Sequence, residues 1–141
     1  MTDFQQEKLR RYLLARDRLQ RKCEEANRWE SISTGLTPLL HGTRGASHRQ
    51  PNEVKETLMQ LREELERAAL ETRELRRKLY DALNAIPDPY LRGLLESKYL
   101  SGASNRELME QYHLSERTLR RHLGQAVHCL EKYSKFFSEN T

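Results

Sequence analysis

Between Val54 and Ile86 the apolar residues recur at alternating steps of four and three: Val54, Leu58, Leu61, Leu65, Ala68, Thr72, Leu75, Leu79, Ala82 and Ile86. Only Thr72 in this series is polar, and the positions between are mostly Glu, Arg and Lys. A period of about 3.5 residues keeps one seam of a helix turned toward a neighbour. At about 1.5 Å per residue such a helix is roughly 50 Å long. No single small domain buries a rod of that length, so the pattern predicts that residues 54–86 pair with another helix and mediate self-association.

A first helix is predicted from Asp3 to about Glu30, with Leu9, Tyr12, Leu13, Leu19, Cys23, Ala26 and Trp29 on or near one face. Its seam is less regular, because Arg16 stands where an apolar residue is expected. Residues 31–50 are rich in Ser, Thr and Gly, with Ile32, Leu36, Leu39 and Leu40 as short apolar groups. A loop of this length is usually functional or disordered, and a flexible loop is expected at about 31–51.

Pro87-Asp88-Pro89 ends the long helix, since each proline removes a donor and disfavours helical geometry before it. The same residues start the next helix, with Asp88 as N-cap and Pro89 at its first position. That helix is expected to reach Tyr99, with Tyr90, Leu91, Leu94, Leu95 and Tyr99 as its buried side. After a turn at Ser101-Gly102-Ala103, Ser104 and Glu107 have capping-box spacing and open a helix to about Tyr112. Ser115 then caps a last helix running to about Lys135, and Phe136 and Phe137 are expected to continue its buried stripe (Leu130, Tyr133, Phe137) and to dock on the head or on a partner subunit. The expected organisation is a helical hairpin over 1–86 and a small domain over 87–137.

Residues 104–130, SNRELMEQYHLSERTLRRHLGQAVHCL, read as two helices joined by a short turn with apolar residues at the crossing, a helix-turn-helix pattern. Leu108, Met109, Leu114, Leu119, Leu123, Ala126 and Leu130 supply its core. Burying that side of the last helix leaves Arg117, Arg120, Arg121, Gln125 and His128 outside. Three arginines against Glu116 lie in the first two turns, the part of a recognition helix that enters the major groove. Arginine presents a rigid fork that can donate two hydrogen bonds to guanine or grip a phosphate. Glu116 can accept from cytosine, and Thr118 can meet a phosphate or a thymine methyl. The bland alternative is a solvated helix face. The basic cluster sits in the base-reading part of the motif, which favours double-stranded DNA as partner. Ser115, Glu116, Arg117, Thr118, Arg120, Arg121 and Gln125 are the candidate DNA-binding residues.

The stretch from Ile86 resembles region 4 of the sigma-70 family, and more closely the phage-encoded transcriptional regulators of the RinA and ArpU type that carry such a head. KYLSG (Lys98 to Gly102), SNRELMEQY, LSERTLRRH and AVHCL carry the resemblance, and the two long helices with their Ser/Thr loop are similar to the N-terminal half of those regulators. The resemblance implies an all-α fold and transcriptional control, often of phage late genes, in a bacterial or prophage setting. It places base reading on Glu116, Arg117, Thr118, Arg120 and Arg121. It also implies that the head can bind RNA polymerase. Nothing here resembles the core-binding and −10-reading regions of a complete sigma factor.

Composition agrees with narrow seams rather than a thick core. The 141 residues are 36% apolar and 33% charged, against about 25% charged in an average globular domain. The net charge of +4 is spread along the chain, so the placement of the arginines says more than the total. Cys23 and Cys129 form no metal-binding or redox spacing and are expected as reduced thiols in a cytoplasmic protein. No apolar run approaches the roughly 20 residues of a membrane span. The five histidines show no converging metal-ligand spacing, with His128 and Cys129 pointing apart on a helix. No phosphate loop, nucleophile elbow or HExxH is present. Neither a metal, a cofactor nor an enzymatic activity is expected. The rival to a regulator is a coiled-coil interaction or assembly protein, such as a small terminase-like adaptor, with the helix-turn-helix as a packing module.

Overall fold

The structure is a computed structural model and describes residues 1–33 and 51–138. Every regular element among them is helical: α1 (Asp3–Ser33), α2 (Pro51–Asn84), α3 (Pro89–Leu95) running into a π-helical turn (Glu96–Leu100), α4 (Asn105–Tyr112) and α5 (Glu116–Tyr133). Of the flexible loop expected at about 31–51, residues 31–33 belong to α1 and Pro51 opens α2, while residues 34–50, with Leu36, Leu39, Leu40, His41 and His48, lie outside the described residues. No helix among the described residues is long and apolar enough to cross a membrane.

The chain divides into two compact units, Ala15–Thr72 and Met1–Leu14 with Arg73–Thr141. In the first, Ala26, Val54, Leu58 and Leu61 are buried, while Leu19, Cys23, Trp29, Leu65 and Ala68 are half-buried. Thr72, the polar member of the seam, is buried and its hydroxyl donates to the Ala68 carbonyl at 2.7 Å. That local bond lets a hydroxyl occupy an apolar position without losing its hydrogen bond. Two ion pairs join the long helices, Lys22 to Glu64 at 3.3 Å and Arg62 to Glu30 at 3.0 Å. Such surface pairs add at most about 1 kcal/mol each, so the apolar seam supplies most of the stability. None of the ten seam positions from Val54 to Ile86 is exposed. Seven of them are buried, and Leu65, Ala68 and Leu75 are half-buried.

The second unit is built on one apolar cluster. Leu91, Leu94 and Leu95 of α3, Leu108 of α4, and Leu119, Leu123, Ala126, Val127 and Leu130 of α5 meet Leu79, Ala82 and Leu83 from the end of α2 and Ile86 just beyond it. Leu9 and Tyr12 of α1 join the same cluster. The start of α1 is tied by a reciprocal pair of bonds: Thr2 N–H donates to Gln5 Oε1 and Gln5 N–H to Thr2 Oγ1, both at 3.1 Å. This is capping-box chemistry with glutamine in place of glutamate. Tyr99, almost fully buried, donates its hydroxyl to Met1 Sδ at 3.7 Å.

Three sequence expectations need correction. Tyr90 is exposed at the edge of α3 rather than in its buried side. The helix from Pro89 does not stay α-helical to Tyr99 but widens into the π turn, where Ser101 N–H bonds the Glu96 carbonyl. The stripe Leu130–Tyr133–Phe137 is broken at Tyr133, which is 48% exposed, while Phe136 is buried and Phe137 packs half-buried against the same core. The reason is local. α5 ends at Tyr133 and Ser134 is extended (φ −138°, ψ 153°), so helical periodicity no longer selects the residues beyond it.

If Leu9 belongs to the core of the short helices, Leu9→Ala should cost about 2–5 kcal/mol, as for other buried leucines. Leu14→Ala, at a position 57% exposed, should stay within about 0.5 kcal/mol of wild type. Equilibrium urea unfolding of both variants checks this. Gly124 lies inside α5, where a Cβ would meet nothing within 4 Å. Gly124→Ala should therefore raise stability by about 0.5–1 kcal/mol, read as a higher unfolding midpoint with unchanged slope.

Candidate nucleic-acid interface

Each short helix starts on a side-chain cap that its sequence encodes. Asp88 Oδ1 accepts from Tyr90 N–H at 2.9 Å and from Leu91 N–H at 3.4 Å. Ser104 Oγ accepts from Glu107 N–H, and its hydroxyl donates to the Glu107 carboxylate at 3.1 Å. Ser115 Oγ accepts from Thr118 N–H at 3.2 Å and its hydroxyl donates to Thr118 Oγ1 at 2.9 Å. Between α4 and α5, His113 adopts the left-handed conformation (φ 55°, ψ 49°) and Leu114 N–H bonds the Met109 carbonyl. That is the hydrogen bond of a Schellman-type helix end. It turns the chain sharply, so that α5 packs on both α4 and α3.

At about 3.6 residues per turn, burial of Leu119, Leu123, Ala126, Val127 and Leu130 fixes the roll of α5. Arg117, Arg121, Gln125 and His128 then form one exposed stripe opposite the core. Arg120 is exposed too, but on one flank. Its guanidinium is held by Glu116 at 2.7 Å, an i,i+4 ion pair. Thr118 and His122 occupy the other flank, both half-buried. The seven sequence-selected residues are thus divided. Arg117, Arg121 and Gln125 point outward together, Glu116 and Arg120 are tied to each other, and Ser115 and Thr118 hold the helix start.

On the Thr118 flank, Tyr90 bridges the helices. Its hydroxyl lies 2.7 Å from His122 Nδ1, and its ring meets Tyr112 and His122 edge-on at centroid distances of 5.6 and 5.4 Å. Burial, followed by the neighbouring Tyr112 and Asp88, pushes the Tyr90 phenol above its ordinary range. This contact between α3, α4 and α5 is absent from the sequence-selected set. The spacing of Tyr90, Tyr112 and His122 gives no periodic signal, so only tertiary proximity reveals it. Among the described residues no group of three His, Cys, Asp or Glu side chains converges as a metal site would require.

A family model described as "Protein of unknown function (DUF1492)" matches residues 40–131, well over half of the 141 residues. The chain belongs to that family. The match takes in α2, α3 and α4 whole and α5 as far as Glu131. No curated protein and no solved structure matches the chain.

Ser115→Ala removes the cap of α5 and should cost about 0.5–2 kcal/mol, whereas Ser115→Gly should cost only a few tenths. Chemical unfolding of the two variants side by side tests whether the hydroxyl, rather than the backbone, starts the helix.

Proposed function

We propose that this protein is a sequence-specific DNA-binding transcriptional regulator in which α4 and α5 act as a helix-turn-helix and α5 reads the major groove. In this reading α1 and α2 form a helical hairpin that carries the DNA-binding head. The observation that supports it best is the outward stripe of Arg117, Arg121 and Gln125 in the first turns of a capped helix. Neither arginine enters an ion pair among the described residues, while Arg120 beside them does. An arginine left with only water as partner is free to donate to a base edge or a phosphate at no cost in broken contacts. The resemblance of residues 86–133 to region-4-like heads favours a phage or prophage regulator of the late-gene type, acting in a bacterial cytoplasm, with RNA polymerase as a further partner. Self-association through the seam 54–86, where Leu65, Ala68 and Leu75 are half-buried, belongs to this reading, whereas the rival makes that seam the working part of a coiled-coil interaction or assembly protein.

The division of the arginines sharpens what each does. Arg117 and Arg121 are assigned to bases, and Glu116 holds Arg120 on the flank. In a titration against a pool of duplexes at two salt concentrations, wild type should enrich one short site. Arg117→Ala and Arg121→Ala should each lose about 1–3 kcal/mol and relax preference at one position. Binding that is weak, unselective and shared by both variants would overturn the proposal.

A further inference from the structure

Beside α5, on the flank away from Tyr90, Lys98, Asn105, Arg120 and Gly124 line an open groove closed by Met1 and Gln6. Resting on the DNA-binding reading above, we infer that this groove holds one backbone phosphate of the bound duplex, with Lys98 and Arg120 as its cations and Gly124 as its floor. The π turn carries Lys98 to the groove edge, where its ammonium donates to Asn105 Oδ1. That partner is neutral, so the charge of Lys98 is not balanced by it. Burial, and then the like charge of Arg10, push the Lys98 ammonium below its ordinary range. A cation that is partly desolvated and faces another cation is destabilised in its charged form. An anion arriving in the groove would relieve that cost.

The remaining groups fit the same ligand. Arg120 lies on the flank of α5, not on the outward stripe, and a helix seated in the major groove has phosphates along its flanks and bases before its outer face. Its partner Glu116 occupies one side of the guanidinium, and the fork of arginine has further N–H groups to offer. Gly124 costs α5 about 1 kcal/mol relative to alanine, although the space above it is open. Glycine there lets a large anion come close to the helix backbone. A bare phosphate shares the chemistry, but the flank position beside the reading stripe commits the site to the diester of a duplex.

The test measures affinity and salt dependence of the full chain on its selected duplex and on scrambled duplexes. Lys98→Gln removes the charge and keeps most of the side chain. It should weaken binding by about 3–10-fold on every duplex alike and reduce the salt slope by about one, as loss of one phosphate contact requires. Gly124→Glu places a carboxylate in the groove at a position with room for it. Binding should again fall uniformly, with no loss in the unfolding midpoint, which keeps the result independent of folding. If Lys98→Gln and Gly124→Glu bind with wild-type affinity and slope while Arg117→Ala shifts preference, the phosphate site is overturned and the DNA reading stands. A change of sequence preference in Lys98→Gln would equally overturn it, since a phosphate contact carries no base information. Wild-type protein that binds no duplex overturns both. An effect of inorganic phosphate on the Lys98 and Gly124 amide resonances equal to that of duplex would assign the groove to a free anion instead.

Discussion

Helices of seven and eight residues do not persist alone in water, because fixing the first turn costs more conformational freedom than its few hydrogen bonds return. α3 and α4 are of that length, so their existence depends on burying Leu91, Leu94, Leu95 and Leu108 against something larger. The cluster they enter draws on α5, on the last two turns of α2 and on Leu9 and Tyr12 of α1. Burial of a leucine is worth about 1.5–3 kcal/mol, and no cap or surface ion pair among the described residues approaches what that cluster supplies together. The roll of α5, and with it every statement about which arginine faces where, follows from how Leu119, Leu123, Ala126, Val127 and Leu130 seat in this core.

That dependence gives the exposed face of α5 a division of labour that charge counting conceals. Three arginines within five residues look equivalent as a basic cluster. Once the helix is rolled by its buried side, Arg117 and Arg121 fall on the stripe with Gln125, and Arg120 falls on a flank with an i,i+4 carboxylate beneath it. The pair is exposed, so its contribution to stability is small. Its consequence is geometric, because Glu116 fixes where the Arg120 guanidinium points. Lys98 and Gly124 border the same flank, so two elements distant in sequence converge on one surface.

A heptad seam of ten positions says that a helix needs a partner but not whose chain supplies it. Val54, Leu58 and Leu61 are buried with only one chain present, and two ion pairs link α1 and α2 beside them. Much of the apolar demand of the seam is met within one chain, with Leu65, Ala68 and Leu75 left half-buried.

By itself the sequence determined the helical class, the caps and most helix boundaries. Asp88, Ser104 and Ser115 cap as their spacing requires, and the prolines end α2. The Val54–Ile86 seam is inward at every position. These features are local: a cap or a periodic face is settled by residues within one or two turns. Tertiary structure alone decided that Leu9 and Tyr12 belong with Leu79 and the apolar residues that follow it, and that Tyr90 serves His122 instead of the core. It decided that Phe136 is buried while Tyr133 stays exposed, and that Lys98 and Arg120 border one groove. Each of these is a non-local placement chosen by packing, and no spacing along the chain encodes which of several apolar or charged residues the fold brings to a given neighbour.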